Sequence, residues 1–324
     1  MQDRFGRKID YMRISVTDRC NLRCVYCMPE AGVESIPHGE ILSYEEILRV
    51  VHAAASMGVE KIKITGGEPL VRKGVASLVR MIKETPGIKT VTMTTNGVLF
   101  PQLGKELAGA GLDGVNFSLD TLDAQAFAAL TRFDALENVL EGVHLAIKLG
   151  LKTKLNCVPM QTQESADWVN IAGLAKNNPI DVRFIEMMPI GLGSDFETVS
   201  NDIVMQKLTE AFGQPVRSAV IHGNGPAVYY DFPGFHGSVG FISALSHSFC
   251  ANCNRIRLTA DGELKPCLCY NAGLALKPLL RSGISDESLR SAMAGVIEAK
   301  PKQHQLGEAA NSASETRRMV QIGG

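Results

Sequence analysis

Three thiols at spacings of four and three, Cys20, Cys24 and Cys27, can wrap one face of an iron-sulfur cubane. Such a cluster has four irons and usually takes four thiolates, so one corner would stay open to a small molecule. Zinc is the alternative, but it needs a fourth ligand to close its tetrahedron, and only His38 follows nearby. A second group, Cys250, Cys253 and Cys267, again offers three thiolates, with thirteen residues between the last two. Cys269 forms a C-x-C pair with Cys267 and leaves a four-cysteine zinc ribbon open as another reading. Cys157, outside both groups, reads as a small buried apolar residue.

The remaining chemistry sits at strand ends. Thr65-Gly66-Gly67-Glu68-Pro69 is a turn whose glycines let backbone approach a ligand and whose carboxylate can accept an ammonium group. Arg13, Lys61, Lys63, Lys154, Arg183, Arg255 and Arg257 supply cations suited to an anionic ligand.

These residues need a scaffold that brings them together. Short β-rich runs at 11–17, 61–65, 90–96, 114–120, 152–158 and 181–187 alternate with helical stretches, which argues for parallel βαβ units. Ser43 and Glu46 form a capping box that opens one such helix, and Gly58 closes it. Within the strands polar and apolar residues alternate: Arg13, Ser15 and Thr17 oppose Met12, Ile14 and Val16, and Lys61, Lys63 and Thr65 oppose Ile62 and Ile64. Thr90, Thr92, Thr94 and Asn96 oppose Val91 and Met93, Asn116, Ser118 and Asp120 oppose Val115, Phe117 and Leu119, and Lys154 and Asn156 oppose Leu155 and Cys157. A closed barrel interior or a doubly wound sheet would read almost continuously apolar. An α/β fold is therefore expected, an incomplete (β/α)6 TIM-like barrel whose polar lumen holds a large polar ligand. Residues 1–200 form this partial barrel, and residues 201–324, with Gly- and Pro-rich turns and the second cysteine group, form a smaller C-terminal region.

Composition sets the outer limits. The 324 residues carry 33 Lys+Arg against 34 Asp+Glu, so no broad nucleic-acid or membrane surface is expected. Met1 to Arg7 carry charges where a secretory signal would be apolar, and no apolar run could span a bilayer. A cytoplasmic location follows, where thiols stay reduced and eight cysteines do not build a disulfide framework.

The triplet Cys20-x3-Cys24-x2-Cys27, with Tyr26 before its last cysteine, resembles the radical S-adenosylmethionine superfamily. Further motifs narrow this: Arg13-Ile-Ser-Val-Thr-Asp-Arg-Cys20, Cys250-x2-Cys253-x13-Cys267, Asn254-Arg255-Ile256-Arg257-Leu258 and the terminal Ile322-Gly323-Gly324 are similar to the GTP 3',8-cyclase family of molybdenum cofactor biosynthesis. The resemblance implies two [4Fe-4S] clusters, one on Cys20, Cys24 and Cys27 and an auxiliary one on Cys250, Cys253 and Cys267. It implies S-adenosylmethionine at Tyr26, Gly67, Glu68, Ser118 and Met188, and GTP at Arg13, Lys63, Thr94, Lys154, Arg255, Ile256 and Arg257. Gly323 and Gly324 would reach into the active site as a tail. An adenosyl radical would then take hydrogen from the ribose 3' carbon of GTP, and that carbon would attack guanine carbon 8 to give 3',8-cyclo-7,8-dihydro-GTP. An external one-electron donor, a homodimer and the next pathway enzyme, cyclic pyranopterin monophosphate synthase, are the partners this family allows. Lys63 stands where the family has arginine, and Cys269 where it has phenylalanine. A peptide-modifying radical enzyme would need more C-terminal cysteines, and a noncatalytic zinc module would need a basic surface.

Overall fold

The computed structural model describes residues 1–306 and 314–323. Strands and helices alternate as the hydrophobic pattern predicts. β1 (Tyr11–Ser15), α1 (Tyr44–Ser56), β2 (Lys61–Thr65), α2 (Val75–Lys83), β3 (Thr90–Thr95), α3 (Phe100–Gly109) and β4 (Gly114–Ser118) lead to two successive crossover helices, α4 (Ala124–Thr131) and α5 (Leu136–Lys148). β5 (Lys152–Cys157), α6 (Ser165–Asn177), β6 (Asp181–Ile185) and α7 (Asn201–Phe212) follow.

Helix α1 begins where its cap is complete: Ser43 Oγ accepts from Glu46 N at 3.1 Å while Glu46 Oε2 accepts from Ser43 N at 2.7 Å. Gly58, at φ 94°, supplies the left-handed turn that ends it. Ile47, Val50, Val51 and Ala54 share one face of α1 and pack into the core, as their three- and four-residue spacing requires.

β1 to β6 pair in parallel in sequence order, and the registers place Arg13 beside Lys63, Lys63 beside Thr92, Thr94 beside Asn116, Asn116 beside Lys154 and Asn156 beside Arg183. Because side chains alternate faces, this register puts the polar set on one side along the whole row. The opposite side is the core: Met12, Ile14, Ile62, Ile64, Val91, Met93, Val115, Phe117, Leu155, Cys157, Val182 and Phe184 are fully inaccessible against the helices. The architecture is thus the incomplete six-unit barrel, and Cys157 is the apolar packing residue expected of it.

The C-terminal region is built onto both edges of that sheet rather than beside it. β9 (Val239–Ile242) adds in parallel to β6, and β10 (Arg255–Leu258) adds in parallel to β1. Beyond β9 lie β8 (Val228–Asp231) and β7 (Val216–Arg217), and beyond β10 lie β11 (Glu263–Lys265) and β12 (Leu274–Ala275), all antiparallel. A single 12-stranded sheet results. α8 (Leu276–Arg281) and α9 (Asp286–Glu298) cover the β11 side, and α10 (Met319–Ile322) ends the described chain. The two lips meet at the start of β1, where Asp10 Oδ1 accepts from Asn254 Nδ2 at 2.8 Å and from Asn224 Nδ2, in the loop between β7 and β8, at 3.1 Å.

Candidate active site

The first cysteine group occupies the loop after β1, at the end of the barrel where parallel strands present their C-termini. Local contacts hold this loop without any ligand. Arg23 N and Val25 N donate to Thr131 O and Leu130 O, both at 3.0 Å, which docks the loop on the end of α4. Arg132, the one non-glycine residue with a left-handed backbone among those described (φ 61°), reaches back with Nη1 to Arg23 O at 2.6 Å and Met28 O at 3.1 Å. A strained residue at this position is consistent with over-determination of the loop by its surroundings. Gly66 and Gly67 press on the loop from the other side: a Cβ on Gly67 would lie 2.5 Å from Arg19 O, and one on Gly66 2.8 Å from Thr17 O. The glycines are thus required for contact with the cysteine loop, whether or not a ligand also approaches their backbone.

Glu68 is set behind this turn. Its carboxylate accepts from Asn96 N at 2.6 Å, Thr95 Oγ1 at 2.7 Å and Leu70 N at 3.0 Å, and burial pushes it up to about 7. It ties the ends of β2 and β3 together. Asn96 Nδ2 in turn donates to Asn21 Oδ1 at 2.8 Å and faces Cys20 Sγ at 3.7 Å. Tyr26 OH donates to Asp120 Oδ2 at 2.7 Å, and Asp120 Oδ1 accepts from Val158 N at 2.8 Å. Burial raises Asp120 to about 6.

One cavity of about 320 Å³ joins these residues to the second cysteine group. Its wall includes Cys20, Cys24, Tyr26, Cys27, Gly67, Ser118 and Met188 at one end and Cys250, Cys253, Cys267 and Cys269 at the other. Burial pushes Cys20 to about 11, Cys27 to about 12 and Cys24 well above the ordinary thiol range. At Cys20 the Leu22 N–H, Asn96 and the Arg23 charge oppose burial without outweighing it, so three thiolates there call for the charge of a metal centre. In the second group burial is outweighed. Hydrogen bonds from His304 and Ser248 bring Cys250 down to about 7, and the charges of Arg255 and Lys300 bring Cys253 below its usual value. Cys267 is lowered as well, chiefly because Cys269 lies against it as a hydrogen-bonding thiol. Among the described residues no three His, Cys, Asp or Glu side chains converge as a single metal ion demands. A cubane, which spreads its thiolates over separate corners, suits both.

Between the groups lies a row of cations created by register. Arg257 stands beside Arg13 and Arg13 beside Lys63. Burial brings Arg257 down to about 9, with Arg13 and Arg255 adding to the effect. Burial also holds Lys63 well below its normal range, reinforced by Arg183, Arg13 and Lys154. Thr94 Oγ1, on the cavity wall, and Arg183 Nε are buried polar atoms with no hydrogen-bond partner. Confined like charges with unsatisfied donors nearby are chemically suited to an anion.

Not every residue expected at the nucleotide lines that cavity. Arg13, Thr94, Arg255 and Arg257 do. Ile256 does not: its side chain is fully inaccessible in the core, because it has the opposite parity to its two arginine neighbours. Only its backbone could serve a ligand. Lys63 is buried outside the wall. Lys154 is engaged, with Nζ on Asp181 Oδ2 at 2.6 Å and Tyr229 OH at 2.9 Å. Lys300 and His304, which sequence reasoning missed, do line the cavity; Lys300 Nζ donates to Pro266 O at 2.6 Å and Arg255 O at 2.8 Å, pinning the second cysteine loop to β10. Nothing in their spacing singles them out. Gly323 O accepts from Arg257 Nη1 at 2.8 Å, while Gly324 lies outside the described residues.

Comparison with known proteins decides the family. The Radical SAM superfamily model matches residues 14–175 and the Molybdenum Cofactor Synthesis C model matches 180–306. The chain is 47% identical to GTP 3',8-cyclase of Pelotomaculum thermopropionicum and 44% identical to that of Desulforamulus reducens, with all of both chains covered in each case. The chain belongs to the GTP 3',8-cyclase family. In fold, the cyclase is similar to Streptococcus suis SuiB bound to S-adenosylmethionine, with a TM-score of 0.62, 16% identity, and 90% of this chain and 68% of that one covered. S-adenosylmethionine and an iron-sulfur cluster are the cofactors of its superfamily.

Cys269 is a fourth thiol beside the second group. Its thiol lies against Cys267, only two residues away, and its main-chain carbonyl accepts from Glu315 N at 3.0 Å. In this cyclase Cys269→Ser is expected to keep iron content, spectrum and turnover within about twofold, since the backbone contact survives and the serine hydroxyl can still donate to Cys267. Iron and sulfide counting with electron paramagnetic resonance of anaerobic protein checks this. Loss of the second signal would make Cys269 a ligand.

Proposed function

We infer that this protein is a GTP 3',8-cyclase, converting GTP to 3',8-cyclo-7,8-dihydro-GTP in the first step of molybdenum cofactor biosynthesis. The observation that carries this reading is the single cavity that joins both three-cysteine groups across the arginine wall.

In this reading Cys20, Cys24 and Cys27 would hold a [4Fe-4S] cluster, and Tyr26, Gly67, Glu68, Ser118 and Met188 would form the S-adenosylmethionine site. Cys250, Cys253 and Cys267 would hold a second [4Fe-4S] cluster and present it to the guanine. When bound, the first cluster and S-adenosylmethionine supply a carbon radical able to take hydrogen from the ribose. The residues of the chain do the rest by placement. Tyr26, fixed by Asp120, closes the cluster loop over the cavity. Arg13, Arg255 and Arg257 meet the triphosphate directly, with Lys63 and Lys154 acting from behind as a second layer of charge and Thr94 Oγ1 offering its unused hydrogen bond. With the triphosphate held, the ribose 3' carbon and guanine carbon 8 are kept in one conformation, so ring closure competes with quenching by solvent. The division at residue 200 is one of labour: residues 1–200 make the radical and residues 201–324 present its target, although one sheet spans both. No helix among the described residues is long and apolar enough to cross a membrane. A cytoplasmic one-electron donor, a homodimer and hand-over of product to cyclic pyranopterin monophosphate synthase complete the reading.

Anaerobic protein mixed with S-adenosylmethionine, reductant and each nucleotide tests it. Release of 5'-deoxyadenosine that depends on GTP is the expected outcome, and equal release with every nucleotide would refute the substrate. Arg13→Gln should weaken GTP binding by about 10- to 100-fold, the loss of a charge-assisted contact of about 1.5–3 kcal/mol, and leave S-adenosylmethionine binding unchanged. Equilibrium dialysis of both ligands measures the contrast.

A further inference from the structure

The last described residues do not lie freely in the cavity; a buried charge network delivers them there. Lys265 on β11 and Glu315 form an ion pair whose side chains are 0% and 1% exposed. Lys265 Nζ also donates to Tyr270 O at 2.7 Å. Glu315 Oε1 accepts from Arg317 Nε at 3.0 Å and Arg317 N at 2.9 Å, and Arg317 Nη2 continues to Glu263 Oε2 at 2.7 Å. Both acceptor and donor of the pair belong to strands or loops beside the second cysteine group: Glu263 and Lys265 immediately precede Cys267, and Glu315 N donates to Cys269 O at 3.0 Å.

From this anchor the chain has one course. Arg318 crosses so close over Gly191 that a Cβ there would lie 2.9 Å from Arg318 Cα. The Val320 N–H opposes the effect of burial on Cys27 of the first group, so α10 sits against that loop. Gly323, at φ 81°, then turns its carbonyl onto Arg257 Nη1 at 2.8 Å. The tail thus touches both cysteine groups and the cationic wall within the nine residues from Glu315 to Gly323.

We propose that Lys265, Glu315, Arg317 and Glu263 form a latch that positions the C-terminal tail, so that the strand and loop carrying the second cysteine group set where Gly323 meets Arg257. These are positioning residues; none lines the cavity. The proposal rests on the reading that the tail belongs to the active site. The four side chains are otherwise hard to account for, because a buried ion pair is weak as a source of stability and is better suited to fixing one geometry. Breaking it leaves an uncompensated buried charge next to the chain it was holding.

The test uses full-length protein loaded with iron and sulfide under anaerobic conditions. Glu315→Gln is expected to speed amide hydrogen exchange at Val320 to Gly323 by about a hundredfold, with exchange in β1 and β10 unchanged. Iron content and the spectra of both clusters should stay as in the parent. The ratio of 5'-deoxyadenosine to cyclised nucleotide should rise about tenfold, with KM for S-adenosylmethionine unmoved. Arg317→Gln, at a partly exposed position, should shift both readouts the same way, and it decides the matter if Glu315→Gln loses iron. Tail amides as slow as in the parent, or fast amides with unchanged coupling, would overturn the latch. Removal of Gly323 and Gly324 runs alongside. If truncation uncouples the reaction and the latch variants do not, the latch alone is wrong; if truncation is silent, the tail reading on which it stands is wrong.

Discussion

Cys24→Ser is expected to lower 5'-deoxyadenosine release by about 10⁴-fold or more, to the level of protein without its first cluster. Burial pushes the Cys24 thiol well above the ordinary range, with Cys27, Asp120 and Cys20 adding like charge. Only bonding to a metal makes a thiolate favourable in that position, and a serine hydroxyl, far less acidic, cannot take its place. The loop itself should survive, because Arg23 N, Val25 N and the Arg132 guanidinium hold it through main-chain contacts that do not involve Cys24 Sγ. The second cysteine group lies at the other end of the cavity, in the loops before β10 and after β11, and should keep its iron. Iron should therefore fall by roughly half while the circular dichroism spectrum stays unchanged. Retention of full iron together with radical formation would show that Cys24 is not a ligand.

Removing Gly323 and Gly324 is expected to reduce cyclised product by at least about 10³-fold and leave both cluster spectra intact. The described part of that tail explains the size of the effect. Gly323 adopts φ 81°, and a Cβ on it would lie 2.8 Å from Ser15 Cβ and 2.9 Å from Thr65 Oγ1. Its carbonyl occupies one arm of Arg257, a residue whose charge is already disfavoured by burial and by Arg13 and Arg255. Without that acceptor Arg257 has no fixed direction, and a substrate that must hold its ribose and base in one conformation loses the wall that sets it. Gly323→Ala should reproduce most of the defect through steric strain alone. Radical formation should continue, so 5'-deoxyadenosine accumulates without cyclised nucleotide. Chromatography of both products from one reaction measures this. Undiminished cyclisation in the truncated protein would return the two glycines to an ordinary chain end.

Reach along the chain accounts for what could be read early. Three thiols within eight residues, Cys20 to Cys27, must share a neighbourhood, so their spacing alone restricts the chemistry they can do. Side-chain alternation is equally local: the parity of Arg13, Thr94 and Asn156 placed them on the lumen side before any strand partner was known, and the same parity should have excluded Ile256. The capping box at Ser43 settled the start of α1 for the same reason, since all its partners lie within one turn.

Pairing across the chain is another matter, because nothing in a local pattern names a partner. β10 adds to β1 across some 240 intervening residues, and that choice alone creates the Arg257, Arg13, Lys63 row. Lys154 carries the right charge on the right face, yet the fold commits it to Asp181 and Tyr229, which reach it from β6 and β8. Lys300, His304 and the Lys265–Glu315 pair acquire their roles only from what packs against them. The amino-acid sequence by itself determined which side chains could bind metal and anion and which face they would occupy. Only the tertiary structure decided which of them stand within reach of one another, because charge and hydrogen-bond energies depend on separations that local spacing does not set beyond a few residues.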